Sequence, residues 1–271
     1  MDVTVAPLST APDDRPRSPR LPFVDDAHYG SHKEIARGGM GKIVAAEDRR
    51  LGRPVALKSL LEPAGDALGR FEREALITAR LQHPGIVPVY EAGRWPSGEP
   101  FFAMKHVSGK PLDRVIAEAR TLAERLALLP RIAAAADAIA YAHSQRIVHR
   151  DLKPGNILIG EFGETVVIDW GLAKDLDAGD SPESERPRER ATVRAINSID
   201  PDAASVSARK TIDRSTLTVV GAVMGTPAYM APEQARGEPV DERADVFALG
   251  AMLYHLLAGV PPYNARTATE V

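Results

Sequence analysis

"VHRDLKPGNIL", residues 148–158, sets His149, Arg150, Asp151, Lys153 and Asn156 between apolar flanks. The wider stretch "RIVHRDLKPGNILIG" reads as strand, loop, strand. A loop that only connects two strands rarely concentrates such groups. An Asp can accept the proton of an attacking hydroxyl, or orient that hydroxyl. A nearby Lys can neutralise charge on a transferring phosphoryl group, and an Asn oxygen is a hard ligand suited to Mg²⁺. Asp151, Lys153 and Asn156 are therefore the first candidates for chemistry.

Working outward, "TVVIDWGLAKDL" (165–176) puts Asp169 directly after four β-formers, Thr165 to Ile168. Alone, this Asp reads equally as a turn residue or as a ligand. "IARGGMGKIV" (35–44) is a glycine-rich turn between strands. Such a turn is an ordinary hairpin or a place where backbone N–H groups approach phosphates without a Cβ in the way. In "PVALKSL" (54–60), Lys58 is a lone cation inside an apolar strand. It is either an edge lysine pointing to solvent or a phosphate-binding cation that needs a carboxylate. Glu74 in "RFEREAL" could supply that carboxylate from a following helix, although a surface glutamate is the usual reading of a helical Glu.

The chain has 271 residues, 44% hydrophobic and 26% charged, which fits a globular protein with one large domain or two smaller ones. A net charge of -3 gives no general affinity for nucleic acid. The absence of cysteine removes disulfides and thiolate metal sites. The most apolar stretch, "LALLPRIAAAADAIAYA" (126–142), contains Arg131 and Asp137 and is too short to span a membrane. The N-terminus lacks the basic start and apolar core of a signal peptide. Five prolines in the first 22 residues, with few large apolar side chains, make residues 1 to about 27 a disordered leader by composition.

From Lys33 to Leu61 the pattern is strand-like, with turns at "RGGMG" and "RRLGRP". Leu68, Phe71, Ala75 and Ala79 predict a helix over 66–81. "GIVPVYEAG" and "EPFFAMKHV" are further strand candidates. Beyond residue 107 the chain turns helical. Leu122, Leu126, Leu129, Ala133, Ala136 and Ala140 predict one face of a single long helix ending near Ala142. Residues 242–258 predict another helix, stopped by Gly259 and Pro261. Residues 175–222 are polar and without a clear period, an unusually long loop for a compact domain.

In order and spacing, these motifs resemble the eukaryotic-like Ser/Thr protein kinases, especially the bacterial branch. The resemblance runs from about Tyr29 to Tyr263. It implies an α+β, bilobal fold: a small β-rich N-lobe with one helix and the hinge over 28–107, and a mainly helical, incomplete C-lobe over 108–271. It further implies that "ARGGMGKI" covers the ATP phosphates, with Ala36, Gly38, Gly39, Gly41, Ile43, Ala56, Lys58, Met104, Lys105, Val107 and Leu158 around the nucleotide. By the same resemblance Lys58 contacts the α- and β-phosphates and Glu74 is its partner on a mobile helix. Met104 is the gatekeeper, and the backbone of Lys105 to Val107 is the hinge. Asp151 is the catalytic base and Lys153 the phosphate-neutralising lysine. Asn156 and Asp169 are ligands of Mg²⁺, with Mn²⁺ as an alternative ion. "GTPAYMAPE" (225–233) closes the activation segment, and Asp245 props the catalytic loop. Lys153 and Thr226 are similar to the residues that mark Ser/Thr over Tyr specificity.

Several positions depart from the family pattern. Ala36 stands where the first loop glycine is usual, and Trp170 where Phe is usual; the resemblance places Trp170 against the mobile helix and His149, with an N–H that needs an acceptor. Lys105 replaces a common Glu. The stretch from Asp169 to Glu233 is far longer than usual, the excess lying in 175–222. Arg150 is expected to pair with a phosphate there, which makes Thr216 or Thr218 an autophosphorylation candidate. Family members continue with more helices after "GVPPYNA", one supplying an Arg for Glu233. The resemblance thus implies a truncated chain or a fragment of a longer protein, with reduced stability and a poorly paired Glu233.

The leading expectation is an ATP-dependent Ser/Thr protein kinase acting on protein substrates in signalling. Self-association would serve autophosphorylation, and a cytoplasmic location is expected, with a membrane anchor beyond Val271 left open. An inactive kinase-fold scaffold is the alternative. Against it, Lys58, Glu74, Asp151, Asn156 and Asp169 are all present; for it stand the missing C-terminal helices. A small-molecule phosphotransferase of the same broad fold fits "GTPAYMAPE" poorly.

Overall fold

A computed structural model describes residues 21–37, 41–61, 66–178 and 227–263. The upper lobe is an antiparallel sheet of β1 (Tyr29–Arg37), β2 (Gly41–Asp48), β3 (Arg53–Leu60), β4 (Val89–Arg94) and β5 (Pro100–Lys105), in the order β1-β2-β3-β5-β4. Helix α1 (Asp66–Arg80) lies between β3 and β4 in sequence and packs on β4 and β5.

Alternation along the strands sorts the side chains between two faces. Val55 and Leu57 of β3 join Phe101 and Ala103 of β5 in a cluster with Val24, Tyr29 and Ala46. Leu60 and Phe102 face the other way and pack with Phe71 and Ala75 of α1. Lys58 pairs with Phe102 on one side and Ile43 on the other. The same alternation therefore aims Lys58 toward the face that α1 covers.

Two expectations about this lobe need correction. Residues 21–27 do not belong to a leader without structure. Leu21 and Val24 are buried, Phe23 makes a parallel bridge with Arg94, and Asp26–His28 forms a short 3-10 turn capped by Asp25. Two apolar side chains sufficed to dock a segment whose composition is otherwise polar and proline-rich. The front of "GIVPVYEAG" also leaves the sheet: Val87 N–H donates to Val167 O (3.2 Å) and Val167 N–H to Gly85 O (2.8 Å). Residues 85–87 thus reach the lower lobe, and the segment joins the upper sheet from Pro88, with β4 beginning at Val89.

Below the hinge come β6 (Gly109–Pro111), α2 (Leu112–Glu118), α3 (Leu122–Leu126), α4 (Leu129–Ser144), β7 (Ile147–Val148), β8 (Ile157–Gly160), β9 (Thr165–Val167), β10 (Lys174–Asp175), α5 (Pro232–Ala235) and α6 (Arg243–Ala258). Strands pair as β6-β8-β9 and β10-β7, all antiparallel. This is the bilobal α+β architecture that the motif order implied.

The single helix expected to end near Ala142 is two helices. Thr121 and Glu124 form a reciprocal capping box that starts α3. Pro130 then sits in the first turn of α4. Proline has no N–H and its ring crowds the carbonyl four residues earlier, so it opens a helix well but cannot continue one. The buried face also differs from the expected one. Ile132, Ala135, Ala138, Ile139 and Ala142 are buried, whereas Leu122, Leu126 and Leu129 are 53%, 40% and 37% exposed. Residues 132–142 are apolar almost all round, so periodicity alone could not set the phase. Contact with α6 and β9 does.

The lower core runs from Ile77 of α1 and Leu81 just after it, through Leu112, Ile132 and Ile139, to Met252 and Leu256 of α6. Helix α6 ends at Gly259, whose φ of 76 is the left-handed conformation that glycine adopts without strain.

Candidate active site

The loop between β7 and β8 hangs from one buried carboxylate. Asp245, in the first turn of α6, is 1% exposed. Its Oδ2 accepts from the His149 N–H (2.8 Å) and its Oδ1 from the Arg150 N–H (2.9 Å). His143 of α4 lies 2.8 Å from Oδ2 through Nε2. Two helices and the loop thus meet at Asp245. Gln234 of α5 adds a bond from Nε2 to Arg150 O (2.7 Å). Arg150 itself is left-handed, with φ 66, and its Nε donates to Leu172 O (2.6 Å).

His149 joins this loop to the Asp169 turn. Its Nδ1 accepts from the Asp151 N–H (3.2 Å), so the ring proton sits on Nε2, 3.2 Å from Ile168 O. Ile168 N–H donates to Asn156 O (2.9 Å). Asp169 then turns with φ 63, a conformation that costs energy in a residue with a Cβ. This strained turn lies where chemistry was expected.

Three side chains from three elements meet at the inner end of the cleft. Lys58 Nζ of β3 is 2.5 Å from Glu74 Oε1 of α1 and 3.3 Å from Asp169 Oδ1. Glu74 is buried, while Asp169 keeps 48% of its side-chain surface because it opens onto the cleft. Burial disfavours the Lys58 ammonium, but Glu74 and Asp169 outweigh it and raise its pKa. Burial and the Asp169 charge together hold Glu74 above the usual carboxylate range, against the pull of Lys58. Asp169 moves the other way: enclosure opposes its ionisation, yet Lys58, His149 and Lys153 bring it below the ordinary value. Two carboxylates share one ammonium, and the one that opens onto the cleft ionises more readily than the buried one.

Nearby, Lys153 Nζ lies 2.7 Å from Asp151 Oδ2. Asn156 donates through Nδ2 to Asp151 O (2.8 Å) and Oδ2 (3.2 Å). The Asn156 amide nitrogen is thereby committed, and its Oδ1 is the atom left for a cation. No group of three or more His, Cys, Asp or Glu side chains is placed to hold a metal ion among the described residues. A hard divalent cation that keeps waters and substrate phosphates in its shell needs only one or two protein oxygens. Asp169 and Asn156 Oδ1 fit it.

Around the cleft, Ala36 pairs with Ile43 across β1 and β2, and Gly41 opens β2. Ala56 pairs with Met104. Lys105 N–H donates to Pro88 O (3.1 Å). Val107 follows β5, and Leu158 of β8 pairs with Val166 on the floor. Gly38, Gly39, Thr216, Thr218 and Thr226 lie outside the described residues. Glu233 in α5 is half-buried and has no ion pair among the described residues.

Sequence reasoning missed His143, Gln234 and the pair Arg80–Asp175, which joins the end of α1 to β10 at 2.5 Å. Gln234 had a signal in its place beside Glu233. The other two had none, since each depends on a partner about a hundred residues away.

Trp170 is 1% exposed, its ring centroid 4.6 Å from that of His149, and shares a core with Ile77 of α1 and Leu81 just after it. Its buried Nε1 has no acceptor among the described residues. Trp170→Phe removes this orphan donor, a gain of about 1–3 kcal/mol, and loses apolar contact of similar worth. The expected change in unfolding free energy by urea titration is within about 1 kcal/mol. A loss several times larger would mean that the indole N–H has a partner.

The protein kinase domain family matches residues 29–194 and 204–271. The chain is 35% identical over 264 residues to the serine/threonine-protein kinase PknD of Protochlamydia amoebophila (strain UWE25), covering 92% of this chain and 25% of that protein. It is 37% identical over 251 residues to PknD of Chlamydia muridarum (strain MoPn / Nigg), covering 88% and 25%. It is 38% identical over 232 residues to the DNA damage-responsive serine/threonine-protein kinase RqkA of Deinococcus radiodurans, covering 84% and 29%. The chain thus spans about a quarter of the length of these curated relatives. With the family match running over both lobes and the cleft between them, the chain belongs to the protein kinase domain family.

Proposed function

We propose that the chain transfers the γ-phosphate of ATP to Ser or Thr hydroxyls of protein substrates. The observation that carries this reading is the convergence of Lys58, Glu74 and Asp169 beside the Asp151–Lys153–Asn156 loop. Lys58, held by Glu74, contacts the α- and β-phosphates. Adenine lies against Ala56, Met104 and Leu158, with its polar edge on the Lys105 carbonyl and the Val107 N–H. Asp169 and Asn156 hold Mg²⁺, or Mn²⁺ in its place, which when bound neutralises charge on the phosphate oxygens.

Lys153 and Asn156 both donate to Asp151 Oδ2, so Oδ1 is the acceptor for the substrate hydroxyl. The hydroxyl oxygen attacks the γ-phosphorus in line, its proton passes to Asp151, and the bond to the β-phosphate oxygen breaks to leave ADP. Lys153 stabilises the charge on the transferring group. No helix among the described residues is long and apolar enough to cross a membrane.

The test is transfer of label from [γ-³²P]ATP to the chain itself and to a generic protein substrate. No transfer by the folded protein would favour an inactive scaffold. Self-association would bring one copy's activation segment to another's cleft, with Thr216 or Thr218 as acceptors. Arg150, whose guanidinium already lies on that segment through Leu172 O, would pair with the phosphate formed. Phosphopeptide mapping after incubation with Mg-ATP is expected to find one of the two threonines modified. An active enzyme with both unmodified would remove this assignment.

A further inference from the structure

Glu74 reaches Lys58 only if α1 is correctly placed and correctly rotated. One set of contacts to α1 lies outside the cleft. Arg94, the last residue of β4, has its backbone gripped by the N-terminal segment: Val24 N–H donates to Arg94 O and Arg94 N–H to Pro22 O, both at 2.8 Å. The fit there is close. A Cβ on neighbouring Gly93 would lie 2.6 Å from Val24 Cγ2 and 3.0 Å from Pro22 O. Val24 is buried in the cluster of Tyr29, Val55, Leu57 and Phe101.

The Arg94 side chain points the other way, into α1. Its Nη2 is 2.5 Å from Glu72 Oε1, and its Nη1 donates to Gly98 O (3.1 Å). Glu72 precedes Glu74 by two residues, about 200° round the helix. An anchor at Glu72 on β4 therefore adds to the packing of Phe71 and Ala75 on Leu60 and Phe102 in holding the rotation that turns Glu74 inward. The far end of α1 is held independently by Arg80–Asp175. Releasing Arg94 leaves the helix to pivot about that end.

We infer that Arg94 is a positioning residue for phosphate transfer. It couples the docked segment 21–24 to α1, and so keeps Glu74 on Lys58. This rests on the kinase reading above, and extends it to residues that touch neither nucleotide nor substrate.

The experiment measures kcat and KM for ATP, Mg-ATP affinity by calorimetry and the thermal midpoint, all on the full chain. The variants are Arg94→Glu, Glu72→Arg, the double swap, Arg94→Lys and Val24→Asp. Arg94→Glu and Glu72→Arg are each expected to lower kcat/KM for ATP about five-fold and to weaken ATP binding in step. The double swap restores most of the loss, and Arg94→Lys retains most of the activity. Val24→Asp, which undocks the segment, produces the same loss as Arg94→Glu. Glu72→Gln serves if a charge reversal fails to fold.

Folded single variants with wild-type kcat/KM and ATP affinity overturn the proposal. So does a double swap no better than its parents. A Val24→Asp variant of full activity removes the segment from the coupling and overturns the proposal as stated. If the wild type binds Mg-ATP but transfers no phosphate, the kinase reading fails, and ATP affinity across the same variants still decides the role of Arg94.

Discussion

Asp151→Asn is expected to lower phosphate transfer by a factor of about 10²–10⁴, with nucleotide affinity and thermal midpoint near those of the wild type. Asn has the shape of Asp but cannot take a proton. Its oxygen would stay with Lys153 and Asn156, which both donate to the Oδ2 position. The amide nitrogen would then occupy the Oδ1 position and present hydrogens to the substrate hydroxyl. The hydroxyl loses its acceptor, while ATP, bound through other residues, is little affected. Transfer of label from ATP, measured with equal amounts of folded protein, is the readout. A variant within a few-fold of wild type would show that Asp151 neither orients nor deprotonates the nucleophile.

Asp245→Ala is expected to be the most destabilising single change in the lower lobe. The carboxylate is buried and takes bonds from the His149 and Arg150 N–H groups and from the His143 ring. Alanine would leave the His149 N–H buried, and the Arg150 N–H and His143 ring half-buried, without this acceptor, at about 1–3 kcal/mol for a fully buried group. A loss on the order of 3–5 kcal/mol in urea denaturation is expected, a large fraction of the stability of an ordinary domain. Asp245→Asn keeps one oxygen and should fall between alanine and wild type. Any folded Asp245→Ala enzyme should lose kcat more than ATP affinity, since Asp151 follows directly on the two N–H groups released. A loss below about 1 kcal/mol would mean that the loop holds its shape without this carboxylate.

Much of the cleft was legible because its chemistry is written locally. Asp151, Lys153 and Asn156 lie within six consecutive residues, and their side-chain types already state a proton acceptor, a cation and a hard oxygen. Lys58 was legible as a cation in an apolar strand, but only the sheet decided that it meets Glu74 and does not point to solvent. Asp169 was ambiguous alone. Its meaning came from its place after the other motifs, and its strained φ and its contact with Lys58 came only from the folded chain.

Elsewhere local pattern gave an incomplete or wrong answer. The Ala-rich run of α4 has apolar residues on nearly every side, so no periodicity could choose the face that meets α6. Pro130 did mark the break between α3 and α4, but a count of apolar positions passes over it. The leucines at 122, 126 and 129 look like core by type and are solvent-facing by position. Composition assigned residues 21–27 to the leader, because two docking side chains hardly change an average.

The amino-acid sequence by itself determined the family, the order of the lobes and which side chains are candidates for the chemistry, since these depend on residue type and near spacing. The tertiary structure alone decided which helix faces are buried, that Asp245 carries the loop of Asp151, that Arg94 binds α1 to the N-terminal segment, and that Trp170 is enclosed with its N–H unpaired. Each of these joins or encloses residues far apart along the chain. Burial and long-range pairing are properties of packing, and local pattern along a single chain does not specify them.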